Sequence, residues 1–189
     1  LAVCVLFLGQ LLAPLHSGTA RADPGKPDLT LTAEDIVFSE DKPLYGDTVL
    51  INATVHNIGS ANATSVRVRF YDGPVSDGVT IGSDQILDSV AVNSTAVARV
   101  NWSTSGVTNG THYIYVSVDP ADTISEENES NNVADRSIFV NQPPNAVIDA
   151  NVTTAYTNEA LYFNATESSD PDGNIVTCYW NFDDGNETK

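Results

Sequence analysis

Residues 64–73, "TSVRVRFYDG", decide how the rest of the chain is read. Val66, Val68 and Phe70 alternate with Arg67 and Arg69, and Gly73 closes the run. A period of two places one set of side chains on each face of an extended strand, so the apolar set faces a core and the arginines face water. A helix with this spacing would scatter both sets around its axis.

The same texture extends in both directions. Upstream, "GDTVLINATVHNIG" puts Val49, Ile51, Ala53 and Val55 on one side and Leu50, Asn52, Thr54 and His56 on the other. Before it, "DLTLTAEDIVF" carries Leu29 with Leu31, then Ile36 with Phe38 beyond the Glu34–Asp35 interruption. Downstream, residues 79–92 read as one or two short strands. "TAVARVNW" sets Ala96, Ala98, Val100 and Trp102 on one face, and "THYIYVSVDP" does so with Ile114, Val116 and Val118. "NVADRSIFV" closes the set. No window of twelve or more residues keeps a helical period, and β-branched residues, Thr and Asn favour strands over helices. Six or seven short strands separated by Gly, Asn, Asp and Pro turns predict an all-β protein, an antiparallel immunoglobulin-like β-sandwich with Trp102 in the inter-sheet core.

Pro143 and Pro144 end the last strand, because proline cannot donate to a ladder. The sandwich is therefore expected to span 23–142, with a second module of the same class over 143–189. Only 47 residues follow Gln142, with strand-like runs in "AVIDANV", "ALYFNATESS" and "NIVTCYWNF". Three strands are few for two facing sheets, so this module is expected to be partial at Lys189.

Residues 1–22 begin with an apolar run from Leu1 to Leu15 and end in small residues at Ala20 and Ala22. That is the core and cleavage region of a secretory signal peptide without its basic head. The run is broken by Gly9, Gln10 and Pro14 and is shorter than the roughly 20 residues of a spanning helix. Cys4 sits near the start of this run, where a lipoprotein cysteine would not. An extracellular or cell-surface location follows. The expected mature chain keeps one cysteine, Cys178, read as a buried small hydrophobe in a strand. Without a disulfide, the sandwich must rest on its core or on a stabiliser such as calcium.

The chain carries 25 acids against 8 Lys and Arg, a formal charge of -17. Such a surface repels phosphate backbones, which sets nucleic acid aside as a partner. A hydrophobic content of 41% is enough to form a core rather than a disordered tail. N-x-S/T triplets begin at Asn52, Asn62, Asn93, Asn101, Asn109, Asn128, Asn151, Asn164 and Asn186. In an exported protein these are candidate glycan sites, and hence points of a solubilising exterior.

One stretch looks chemical. "ADTISEENESNNVA", residues 121–134, crowds acids and asparagines between two strands. Catalysis needs paired carboxylates facing a cleft, one of them held protonated by burial; a solvated turn offers neither. Two readings remain. One is an Asn/Asp turn whose side chains cap their own backbone. The other is a weak calcium site, using Asp119, Glu126 and Glu129 with Asn131 or Asn132 as carbonyl donors. A second acidic run, "SSDPDGNI", spaces Asp170, Asp172 and Asn174 like the start of an EF-hand loop. Ile175 then stands where that loop needs glycine, and Asn181 where it needs glutamate. A tight turn around Gly173 is the simpler reading, with calcium on Asp170, Asp172 and Asp184 as the other. His56 and His112 lie in different strands without a cysteine or second histidine beside them, so zinc is not expected. No G-x-S-x-G elbow, G-x-G-x-x-G or P-loop occurs.

On these motifs, residues 27–140 resemble a CARDB domain, an immunoglobulin-like module of prokaryotic exported and adhesion-related proteins. "PDLTL", "YGDTVLINATVHNIGSANA", "VRVRFYDG", "VNW", "GTHYIYVSVDP" and "ISEENESNNVA" follow in family order. Residues 143–189 resemble the first part of a PKD domain through "PPNAVIDA" and "LYFNATESSDPDGNIVTCYWNFDDG". Asp183 stands there in place of the family's usual glycine, which puts the geometry of that turn in question. The resemblance implies no activity for this segment. It implies a spacer, an adhesive surface or a stabilising partner of a catalytic domain elsewhere in the polypeptide. The contacts it implies are with cell-surface or extracellular proteins or glycans and with neighbouring domains. An accessory region of a secreted hydrolase such as a protease, and a carbohydrate- or protein-binding module, are the alternatives.

Overall fold

A computed structural model describes residues 25–183 and the backbone of 187–188. The signal-peptide reading of 1–22, Asp184 and Asn186 lie outside the described residues. Eight strands build the main body: β1 (Leu29–Thr30), β2 (Ile36–Phe38), β3 (Thr48–Asn57), β4 (Ala63–Asp72), β5 (Val79–Val90), β6 (Ser94–Ser103), β7 (Gly110–Val118) and β8 (Val133–Val140). A single 3₁₀ turn, Ala33–Asp35, separates β1 from β2.

The strands form two antiparallel four-stranded sheets. In one, β3 pairs with β1 and β2 and also with β6; the other runs β5-β4-β7-β8. The alternation seen in the sequence becomes the inside and outside of this sandwich. Val49, Ile51, Ala53 and Val55 of β3 face Val66, Val68 and Phe70 of β4 and Ile114, Val116 and Val118 of β7 in one continuous core. Each Val, Ile or Phe side chain among them contributes about 1.5–3 kcal/mol on leaving water. Trp102 belongs to this core and is 4% exposed.

Residues 79–92, read as one or two short strands, contain one long strand of 12 residues, Val79–Val90. Its ladder with β4 slips between Val68, opposite Gln85, and Phe70, opposite Ile81. The extra β5 residues form a bulge, and bulges bend a strand and re-aim its side chains. Gly82 lies there at φ +64, where a Cβ would come within 2.6 Å of Val100 Cγ2. The bulge also carries Asp84 to the two arginines of β4: Arg67 Nη1 at 2.7 Å, and Arg69 through Nε at 2.5 Å and Nη2 at 2.8 Å. These guanidinium hydrogen bonds, Arg69 first, hold the Asp84 carboxyl well below the usual carboxylate range.

After Val140 the order is sparser. Among the described residues there, only two-residue strands form: β9 (Asp149–Ala150) with β10 (Phe163–Asn164), and β11 (Trp180–Asn181) with β12 (Glu187–Thr188). The longer strands read from "ALYFNATESS" and "NIVTCYWNF" are not formed. Ile148, Tyr162, Val176 and Tyr179 are exposed, so these apolar runs face no opposing sheet to fix them as strands. Cys178, expected to be buried, is exposed for the same reason.

Candidate functional site

The acidic loop between β7 and β8 folds back on the beginning of the chain. Asp119 follows β7 directly, with φ +43, a left-handed conformation that Asp tolerates better than most residues. Its carboxylate accepts the Thr123 hydroxyl at 2.7 Å and the Ile124 N–H at 2.6 Å, which closes the turn. Glu126, expected in a solvated turn, is instead buried, 3% exposed, because the loop folds onto β1. One of its carboxylate oxygens accepts the Leu29 N–H of β1 at 2.5 Å, and the other accepts Asn132 Nδ2 at 2.9 Å. Its own N–H donates to Glu129 Oε1 at 2.7 Å. Burial pushes the Glu126 carboxyl up against the pull of the Leu29 and Asn132 hydrogen bonds, and the charges of Glu129 and Asp119 add to the rise. Asn131 Nδ2 donates to Asp28 Oδ1 at 2.8 Å.

The structure thus draws Asp119, Glu126, Glu129, Asn131 and Asn132 into one loop, and each is bonded within the chain. Asn131 Oδ1 and Asn132 Oδ1 are, among the described residues, the buried side-chain oxygens left without a partner. Among the described residues, no three His, Cys, Asp or Glu side chains group as metal ligands would.

Beside this loop lies a residue that the alternation pattern passed over. Asn57 ends β3 at an inward position and is fully buried. Its Oδ1 accepts the N–H groups of Asp28 at 3.2 Å and Gly59 at 3.1 Å. Its Nδ2 donates to the carbonyls of Ala61 at 2.8 Å and Val90 at 2.9 Å. All four hydrogen-bonding positions of the amide are used. Gly59 leaves room for this packing: a Cβ there would stand 2.4 Å from the Asp28 nitrogen. The signal was present in the sequence as an asparagine occupying an inward position just before a glycine turn.

The two described histidines each meet an aspartate. His56 Nε2 lies 2.7 Å from Asp35 Oδ1. His112 is buried, with Nδ1 2.9 Å from the Asp72 carboxylate and Nε2 2.7 Å from the Thr108 carbonyl, and its ring stands edge-on to Trp102 at 5.3 Å. Both nitrogens of His112 are occupied, so the ring offers none to a metal.

In the C-terminal segment, Asp172 Oδ2 accepts the Gln142 N–H at 2.7 Å, and Asp170 Oδ1 accepts the Asp172 N–H at 3.3 Å. Gly173 packs close to Asp170: a Cβ would lie 2.7 Å from Asp170 Oδ2, and the aspartate side chain would have to shift. Asp183 adopts φ +56, so it takes the left-handed conformation that glycine would enter at less cost. Of the sequon asparagines, Asn62, Asn93, Asn101, Asn128, Asn151 and Asn164 are exposed, whereas Asn52 and Asn109 are half-buried.

Two packed antiparallel sheets with structural acids in the connecting loop define an immunoglobulin-like module. The CARDB family profile matches residues 26–136, and the chain belongs to that family. Residues 141–189 match the PKD domain. Among solved structures, the CARDB domain of the PF1109 protein from Pyrococcus furiosus, in complex with di-metal ions, is 27% identical. That match covers 61% of this chain and 94% of that one at a TM-score of 0.50. GmR58A from Geobacter metallireducens is also 27% identical, over 66% of this chain and 98% of that one, at a TM-score of 0.46. No curated protein matches the chain. CARDB and PKD domains are typically non-catalytic modules of extracellular or cell-surface proteins.

Proposed function

We propose that this segment is a non-catalytic structural or adhesive module of an exported protein, presenting a contact face or holding neighbouring domains in place. One observation carries the reading. The acids that most resemble catalytic groups are engaged by the chain's own N–H, hydroxyl and amide groups, so their role is to close a loop and pin β1. A general acid or base must instead reach a substrate proton across a cleft. The purified chain is expected to show no turnover of polysaccharide, glycoside or casein substrates while it retains adhesion to a cell-envelope preparation. Turnover that is lost in Glu126→Gln or Glu129→Gln would overturn the reading.

A second reading concerns calcium, and the two orphaned amide oxygens favour it. Asn131 Oδ1 and Asn132 Oδ1 are neutral oxygens on amides whose Nδ2 groups bond Asp28 and Glu126, the oxygen chemistry a hard cation takes. Millimolar calcium is then expected to raise the thermal midpoint of the sandwich by about 2–4 °C. An unchanged midpoint, with chelator-treated protein as reference, removes calcium from the account.

A further inference from the structure

At the end of the sandwich opposite the acidic loop, β5, β6 and the β6–β7 loop line a groove of about 660 Å³. Trp102, Thr80, Ser103, Asn101, Thr108 and His112 are among its lining. This volume lies within the range of small-molecule clefts and is enough for about two or three sugar rings. We propose that the groove binds a neutral oligosaccharide. The proposal rests on the non-catalytic reading and gives it a ligand class.

Three observations carry it. The first is Trp102: it is 96% buried by its 4% exposure, yet its indole N–H has no acceptor among the described residues and is not among the sealed-off orphan atoms. A buried tryptophan normally satisfies that donor. Here it lines a groove where a ligand hydroxyl can accept it.

The second is charge. Asp72 and His112 are the charged or titratable side chains of the lining, and they are bonded to each other at 2.9 Å. The groove therefore presents no unpaired charge to attract an ion. The net charge of -17 disfavours anionic ligands further.

The third is the rim. Thr80, Ser103 and Thr108 supply exposed hydroxyls and Asn101 an exposed amide, groups that both donate and accept. This lining matches the alternating donors and acceptors of a sugar, with the Trp102 N–H as one more donor. The bulge at Gly82 bends β5 beside the groove, and a larger residue there would press on Val100. Asn101 also heads a sequon, so a glycan attached to it would stand on the rim and compete for the space.

The test uses the whole chain made in a host that does not glycosylate. The indole N–H resonance of Trp102 is followed by NMR; Trp180→Phe identifies it, since the chain has two tryptophans. Cello-, malto-, manno- and chito-hexaose are titrated, alongside polygalacturonate and an uncharged hexapeptide. At least one neutral hexaose is expected to shift the Trp102 resonance saturably, with Kd on the order of a millimolar, about -4 kcal/mol. Thr80→Trp, which fills the groove from an exposed strand position, is expected to weaken binding at least about tenfold, with the circular dichroism spectrum unchanged. No shift with any neutral hexaose overturns the proposal. So does binding that Thr80→Trp leaves intact, or a response to the peptide or polygalacturonate alone. None of these results touches the turnover assay, so failure here is distinguishable from failure of the non-catalytic reading.

Discussion

Replacing Asn57 with alanine is expected to cost the sandwich about 4 kcal/mol of unfolding free energy, a large share of the roughly 5–15 kcal/mol that holds a domain folded. The amide is fully buried and joins four backbone groups from separate parts of the chain: Asp28 and Gly59 as donors, Ala61 and Val90 as acceptors. Alanine removes all four bonds and leaves a space that the packed sheets cannot easily close. An unsatisfied buried group costs about 1–3 kcal/mol, and relaxation recovers part of the sum. Asn57→Asp is expected to fare no better. Both of its oxygens can accept from Asp28 and Gly59, but the carbonyls of Ala61 and Val90 then face a buried carboxylate instead of an N–H donor. Urea denaturation measures the effect as a lower midpoint at unchanged slope. A loss below about 1 kcal/mol would mean that water or backbone movement replaces the amide, and that Asn57 is not an anchor.

Alternation made the sheets legible. Val66, Val68 and Phe70, Val49 to Val55, and Ile114 to Val118 all face the core their spacing predicts, and Trp102 lies between the sheets. The pattern placed Asn57 inward but could not show what satisfies a polar group there, and it gave no sign that Glu126 is buried. Asn57 and Glu126 occupy interior sites because the β3–β4 turn, the incoming β1 and the β7–β8 loop meet there, and that meeting exists only in three dimensions. The β5 bulge was hidden for a related reason. It depends on pairing with β4, which local propensity does not encode. Strand texture over-called residues 143–183, where exposed apolar residues have no facing sheet to hold them in a long ladder.

Glu126→Ala is expected to cost about 3 kcal/mol, because it strips the Leu29 N–H and Asn132 Nδ2 of their acceptor in a buried site. Glu126→Gln keeps the shape and one acceptor, so it isolates the charge. The pH dependence follows from the direction of the shift. Burial raises the Glu126 carboxyl above its ordinary 4.5, so the folded chain holds that proton more tightly than the unfolded chain does. Stability from this group is therefore fully present below 4.5 and is lost as pH rises through the folded value. Asp35 behaves oppositely. Burial opposes the shift, but hydrogen bonds from His56 and Thr32 outweigh it and lower the carboxyl below 3.8; its contribution is present above 3.8 and fades as pH falls through its folded value. Acidification also relieves general repulsion among the acids, and that gain is common to wild type and Glu126→Gln. The difference between their thermal midpoints is thus expected to move in favour of wild type as pH falls from 7 towards 4.5, then to level off. A constant difference across that range would show that Glu126 gains no protonation advantage on folding, and that the loop draws its strength from hydrogen bonds alone.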